Sequence, residues 1–439
     1  MPFSSIDAPG VLRALSQVAE RDDDLADVYF ERREEIALPT VDAAGPGLQV
    51  WREEGLAVRL LREGRTWLAG RDGIGPDELG DALRRVARAM PRAAYPRPAV
   101  SATRWREPPA APELVELAPH VRRHLAEREV PGDVRWTLRR HQRWVKVIGN
   151  AVTSATEHER FYSVVASTPW GRWGSLTTAL DEAFATAAAD ALEQQWRARD
   201  AEPSGATWTG PCVLGPSAAA VLLHEAVAHA LEADHLARGG DPEAAIGLRM
   251  GSELLDVFDD PGAAPASVRR GADDEGFPTR KRHLLRAGTV TEPLADATWA
   301  RRLDALSAGA GRRGDRHHPP GPRSHHLVLI PGADDDDGLF AAADGGLYFP
   351  DVARGRLEPL SGELTLRFDV GFRIEDGAPG RPFGPCALRG HVAEILGAVS
   401  AVGAATRPAG AGWCAKDGAK LPVWATAAPL LLEQQTVVP

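Results

Sequence analysis

Two histidines and a glutamate fall within six residues, in the run Leu222-Leu223-His224-Glu225-Ala226-Val227-Ala228-His229-Ala230-Leu231-Glu232. A helix that carries His-Glu with a second His close behind is the pattern of zinc hydrolases. There the imidazoles bind the metal and the carboxylate takes a proton from a water. The usual spacing is four, because an α-helix advances roughly 100° per residue and sets i and i+4 on one face. Here the spacing is five, which on a regular helix would part the rings by roughly 140°. A single π-type turn, with its i→i+5 geometry, would bring them back together. The spacing therefore predicts a π-bulge or an irregular turn between His224 and Ala230. The competing reading is that both histidines are ordinary packed residues of an Ala-rich helix.

A third ligand has to come from elsewhere. The chain holds three cysteines, Cys212, Cys386 and Cys414. So few, and an odd number, do not make a disulfide framework. They fit a reducing compartment in which one thiol serves a metal, and the expected location is cytoplasmic. Cys212 lies in an apolar strand-like run and reads as a small buried hydrophobe. Cys386 follows Pro385 in a loop-like stretch. The pairs His317-His318 and His325-His326 could form a second metal site, but Pro319-Pro320 and Arg323 read as an exposed loop. Residues 334–337 read as a solvated acidic turn, and Trp170 and Trp173, set among glycines, as a packed loop. Lys416 could orient a substrate carbonyl or carboxylate, or pair with a nearby acid.

The elements that must position these groups follow from apolar periodicity. Asp7-Ala8-Pro9 opens a helix whose Val11, Leu12, Leu15, Val18 and Ala19 share a face. A strand follows over 26–36, then a hairpin turning at Glu63-Gly64, then a helix from Gly75-Pro76-Asp77. Residues 91–112 read as a long Pro- and Ala-rich loop. A third helix (115–128), two strands (134–140 and 144–148) and a helix over 180–199 complete the first part. Glu202-Pro203-Ser204-Gly205 is the expected domain boundary. Beyond it come a strand (210–215) and an apolar helix from Pro216 to about Arg238. Short strands follow at 281–285, 326–330, 364–368, 370–374 and 387–394. The pattern predicts an α+β protein of two domains. Residues 1–205 form a mixed N-terminal domain, and residues 206–439 form a strand-rich C-terminal domain carrying the metal-binding helix.

With 439 residues the chain is long enough for two or three domains. Its formal net charge of -10 argues against a general affinity for nucleic acid or anionic membranes. No run approaches the roughly 20 apolar residues that a membrane helix needs. The start, Met1-Pro2-Phe3-Ser4, lacks a basic stretch followed by an apolar core, so no signal peptide is expected.

The helix segment resembles the metal-binding helix of the TldD/PmbA family, the modulator-of-gyrase metallopeptidases, in which HExxxH is followed by Leu-Glu-x-Asp. Here Leu231-Glu232-Ala233-Asp234 matches. Further segments agree in order: Asp273-Asp274-Glu275-Gly276 with Pro278-Thr279, Gly311-Arg312-Arg313, Pro322-Arg323-Ser324, Pro331-Gly332 and Gly345-Gly346-Leu347-Tyr348. Cys414-Ala415-Lys416-Asp417-Gly418 with Leu421-Pro422-Val423 is similar to the family's C-terminal signature, and residues 26–31 to its first strand.

That resemblance implies zinc held by His224, His229 and Cys414, with Glu225 as general base. Three protein ligands leave a position open for water, whose pKa zinc brings towards about 7. Because HExxxH is intact, the chain resembles the catalytic TldD-type subunit. The implied activity is hydrolysis of peptide or amide bonds. The implied partners are a second copy of the chain or a TldE/PmbA-like relative. Implied substrates are unfolded or modified peptides. The alternatives are an enzyme of a specialised biosynthetic pathway that acts on a small amide or modified amino acid, or a non-catalytic partner subunit. Where the family has glycines, this chain has Ala228, Ala230, Ala233 and Trp424, and residues 353–356 replace a Gly-rich stretch. These departures predict a narrower, more basic cleft with Trp424 beside the metal; the opposing reading turns Trp424 into the core.

Overall fold

Along strand Leu25–Pro39 the even-numbered residues Ala26, Val28, Phe30, Ile36 and Leu38 are apolar, whereas Asp27, Glu31 and Arg33 carry charge. Alternate side chains of a strand point to opposite faces, so such a strand has one oily face and one ionic face. The computed structural model describes residues 2–39, 47–89, 111–130, 135–152, 154–168, 171–197, 201–303 and 308–439. In it this strand is central to a six-stranded antiparallel sheet formed with Gln49–Arg62, Arg65–Asp72, Arg135–Gly149, Ala155–Thr168 and Gly171–Thr177. The polar stretch around Phe161 is therefore a full strand. Most of the expected 91–112 loop, Val134 and Trp170 lie outside the described residues.

The oily face is covered by helices at both ends. Ala8–Leu15 and Pro76–Ala89 pack over Val28, Phe30, Leu56 and Leu60. Pro112–Glu127 and Glu182–Arg197 pack over Ile36, Leu38, Leu138 and Val164. The hairpin turns at Glu63 and Gly64 with φ of 51° and 70°, the two left-handed residues that a tight hairpin with right-twisted strands requires.

The ionic face is buried against the rest of the chain. Arg59 Nε donates to Asp27 at 2.6 Å and the same guanidinium also bonds Glu275. Arg313 reaches Asp27 at 2.7 Å. Arg143 spans Glu31 (2.9 Å), Glu159 (3.2 Å) and Asp274 (3.1 Å), and Arg270 takes the other oxygen of Asp274 at 2.7 Å. Burial alone would favour the neutral acid at Asp274, but Arg143 and Arg270 outweigh it and hold the carboxyl well below its ordinary range. The Asp273-Asp274-Glu275-Gly276 turn is thus the C-terminal half of an ionic seam. Asp273 shapes it by accepting the backbone N–H groups of Glu275, Phe277 and Gly311.

After residue 207 two more large sheets stack with a helix between them. One has six strands, from Thr289–Val290 at one edge to Arg407–Lys416 at the other; the second has nine, with Arg354–Glu358 at an edge. Leu327, Leu329, Ala425 and Ala427 from the first sheet meet Leu214, Leu366, Leu388 and Leu432 from the second around Pro216–Leu223. That helix carries Ala218, Ala219 and Ala220, all fully buried, and their small size lets two sheets close on it.

Several local expectations change: the two strands expected over 134–140 and 144–148 are one, Arg135–Gly149, and Trp173, expected in a loop, lies in strand Gly171–Thr177. The strand expected over 387–394 stops at His391, whose imidazole caps a helix, Val392–Gly397. The acidic run holds the cap of helix Asp336–Ala342, with Asp335 accepting from the Gly338 N–H at 2.8 Å. Arg323, His325 and His326 are buried, because the 320s enter a sheet through strand His326–Leu329.

Three strands at sheet edges, Gly171–Thr177, Arg354–Glu358 and Arg407–Lys416, come together around one cleft of about 650 Å³.

Candidate metal centre

The buried helix does not run straight. Pro216–Leu223 is α-helical and His224–Ala228 is a π turn, closed by the His229 N–H bonding to the His224 carbonyl five residues back. A tight turn, His229–Leu231, follows, and Glu232 is extended, which ends the helix before Ala233–Gly239 begins. The expected single helix over 216–238 is therefore broken where the histidine spacing demands it. The two imidazole centroids stand 4.5 Å apart at 68° to each other.

Cys414 arrives from the edge strand Arg407–Lys416, with its Sγ 3.2 Å from His229 Nε2. Ligand atoms of His224, His229 and Cys414 lie within 4.8 Å of one another, and all three residues are buried. Neither ring nitrogen of His224 has a hydrogen-bond partner. A buried polar atom without a partner is costly, and a cation beside it removes that cost. Burial, then the neighbouring His229, holds the His224 pKa well below its ordinary range, so the ring is neutral, the form that coordinates a metal. Two imidazoles and a thiolate suit zinc.

Glu232 was visible in the sequence without a role. In the structure its Oε2 lies 2.8 Å from His229 Nδ1, leaving Nε2 to face Cys414. Lys416 Nζ donates to Glu232 at 2.8 Å and to Asp234 at 2.7 Å, so Lys416 pairs with acids. Burial opposes ionisation of Glu232, but His229, Lys416 and Arg323 outweigh it and keep the carboxyl well below its ordinary range. His235 Nδ1 donates to the His229 carbonyl at 2.8 Å. The sequence signals for Glu232 were its i+3 place after His229 and its match to the Leu-Glu-x-Asp segment, and neither gave it a role.

Glu225 reaches the edge strand Arg354–Glu358, where its Oε2 accepts the Leu357 N–H at 3.1 Å. It lines the cleft together with His224 and His229. Burial raises its pKa above the usual carboxylate value.

Other candidates lie elsewhere. Cys212 and Cys386 sit in strands of the nine-stranded sheet; burial pushes both thiols up, Cys386 to about 12. His318 pairs with Asp315 at 2.8 Å, His325 sits 3.5 Å from Asp259, and His326 bonds Thr426 at 3.0 Å. His317 stands 3.5 Å from Asp72. These four join no cluster of metal-binding side chains among the described residues. Trp424 turns into the core, with Phe161, Leu176, Ala264 and Val268, and does not line the cleft. Ala228 and Ala233 are also fully buried, whereas residues 353–356 do form one cleft wall.

Residues 207–437 match a family model described as the PmbA/TldA metallopeptidase C-terminal domain. A metalloprotease TldD homolog of Buchnera aphidicola subsp. Schizaphis graminum is 32% identical over 237 residues, 54% of this chain and 48% of that protein. The Haemophilus influenzae metalloprotease TldD homolog is 31% identical over 232 residues, 52% of this chain and 48% of that one. The matched stretch thus spans about half the length of these relatives. Among solved structures, TldE from Thermococcus kodakarensis superposes with a TM-score of 0.75 at 19% identity, covering 99% of this chain and 100% of its own, a likeness of fold alone. No helix among the described residues is long and apolar enough to cross a membrane.

Proposed function

The chain belongs to the PmbA/TldA metallopeptidase family, and from that premise we propose that it is a zinc-dependent hydrolase of peptide or amide bonds. The observation that carries the reading is the meeting of His224, His229 and Cys414 at the floor of a cleft that Glu225 also lines.

His224, His229 and Cys414 hold the metal, and Glu232 orients His229. When bound, the ion supplies Lewis acidity, which lowers the pKa of a water and polarises the substrate carbonyl. Glu225 is the general base. Its Oε2 is engaged by the Leu357 N–H, so Oε1 is the oxygen that takes the water proton and passes it to the departing amine. One carboxylate oxygen left free in this way can serve both halves of the transfer, holding the proton between them. The cleft walls bind the substrate and exclude bulk water.

The substrate is an unfolded or modified peptide, or a small amide. The working unit is a dimer, either of this chain with itself or with a TldE/PmbA-like relative, in the cytoplasm, and the chain divides into domains at residues 205/206. Metal analysis and hydrolysis of unstructured synthetic peptides test the reading together. The parent protein is expected to hold stoichiometric zinc and cleave. Glu225→Gln should keep zinc and lose cleavage, and His224→Ala should lose both. Zinc bound by Cys414→Ser as tightly as by the parent would exclude the thiolate as ligand.

A further inference from the structure

The cleft has an aromatic wall that no metal chemistry uses. Trp413 precedes Cys414 in the edge strand and is 38% exposed, one of few large apolar side chains left open to solvent. Its ring is fixed from several sides. His141 meets it edge-on at 5.3 Å between centroids, and Phe161 stands tilted at 5.7 Å. Lys420 Nζ lies 4.7 Å over the ring and occupies one face. His141 is itself held by stacking on Phe161 at 4.7 Å, by Ser163 Oγ at 2.8 Å and by Glu35 at 3.4 Å.

The backbone is built to aim this side chain. The strand pairing shifts register between Gly410 and Gly412, and Gly412 has φ of +93°. A Cβ added at Gly412 would meet nothing within 4 Å, so glycine is present there for its left-handed conformation and not for space. A bulge of this kind re-aims the side chain that follows it. Val165 and Leu176 lie on the same face of the N-terminal sheet as Phe161 and line the same cleft.

We infer that Trp413 is a specificity-determining residue: with Val165 and Leu176 it forms a subsite for an aromatic side chain of the substrate, in the cleft that His224, Glu225, His229 and Cys414 also line. As successive strand residues Trp413 and Cys414 leave opposite faces of the strand, yet both line the one cleft. A side chain seated on this wall therefore belongs to a substrate bound in the same cleft as the metal-binding trio. An aromatic ring is the best occupant, because it gains edge and offset-stacked contacts with fixed rings that an aliphatic group does not. The subsite rests on the hydrolase reading, and it lies between the N-terminal sheet and the hairpin that carries Cys414, so it exists only when the two layers are docked.

The probes are internally quenched octapeptides in which each residue within three of the scissile bond is set in turn to Phe, Ala or Asp, and the comparisons below use the position that discriminates most. The parent is expected to favour Phe over Ala by about tenfold in kcat/KM, carried mainly by KM. Trp413→Ala should bring that ratio close to one, and Trp413→Phe should keep most of it. The same peptides titrated calorimetrically into the zinc-loaded Glu225→Gln protein read the subsite without turnover. There the Phe peptide should bind about tenfold tighter than the Ala peptide, and Trp413→Ala in that background should equalise them. Equal binding of the Phe and Ala peptides before Trp413 is changed would overturn the subsite. So would a Phe preference that survives Trp413→Ala. A parent that cleaves no peptide while the Phe preference in binding holds would sink the hydrolase reading and leave the subsite standing.

Discussion

Gly355 lies against Glu225 so closely that a Cβ at residue 355 would stand 2.6 Å from Glu225 Cγ and 3.0 Å from Val221 Cγ1. The proposed base is thus gripped between its own helix and an edge strand, with the Leu357 N–H fixing one oxygen. Gly355→Ala should push Glu225 off that strand. The expected result is a fall in kcat of about tenfold or more, within the range general-base displacement allows, with zinc content unchanged. An unaltered kcat in a folded variant would show that the grip is dispensable.

Glu232 should control metal affinity and not the chemical step directly. Losing a carboxylate that orients a ligating histidine typically weakens metal binding by about 10- to 100-fold. Glu232→Ala also leaves Lys416 buried with Asp234 alone. Zinc competition against a chromophoric chelator reads the affinity; Glu232→Gln, which keeps an acceptor for His229 Nδ1, should recover part of it. Full affinity in Glu232→Ala would remove Glu232 from the metal's support.

Asp351, in the cleft wall, sets a pH dependence of stability. Burial raises its pKa from 3.8 to about 6, with Asp369 adding to the rise. The folded state therefore binds this proton more tightly than the unfolded chain does. Its stabilising effect is present in full below about pH 4 and is lost as pH rises through about 6. Asp351→Asn removes the titration. Its melting temperature should match the parent's at pH 4 and exceed it by about 2–4 °C at pH 8. An advantage at pH 4 that vanishes at pH 8 would reverse the assigned sign.

The broken helix that carries His224 and His229 was legible because its signal is local. His224, Glu225 and His229 lie within six residues, and the five-residue spacing by itself called for the π turn that the backbone adopts. The hairpin at Glu63-Gly64 was legible for the same reason. The seam was not. Asp274 reads as part of a turn until Arg143, 131 residues earlier, is found on it. The sequence left Trp424 open between cleft and core, because closeness in sequence to Cys414 does not fix a face. Trp424 pairs with Gly410 and His326 in its sheet, and its ring packs edge-on against Phe161 at 5.6 Å. Trp413, which does line the cleft, drew no notice because a single aromatic in a strand carries no signal until its neighbours across the sheets are known.

Trp424 should accordingly matter for stability and not for access. Trp424→Ala removes a ring from between the layers, a change that typically costs about 3–5 kcal/mol. Chemical denaturation measures the loss. The ratio of cleavage rates for long and short peptides should stay as in the parent, and a shift in that ratio would restore Trp424 to the cleft.

The three strand edges around the cleft carry one more consequence, for self-association. An unpaired edge is a template on which a second chain can add strands, and proteins normally blunt it with charge, proline or a covering loop. Here Gly171–Thr177, Arg354–Glu358 and Arg407–Lys416 turn their free edges towards a shared cleft of about 650 Å³. A space of that size admits a single extended strand but not the rim of another folded sheet. The layers thus shelter one another's edges from aggregation, and a protein whose ionic seam has been broken should precipitate before it unfolds.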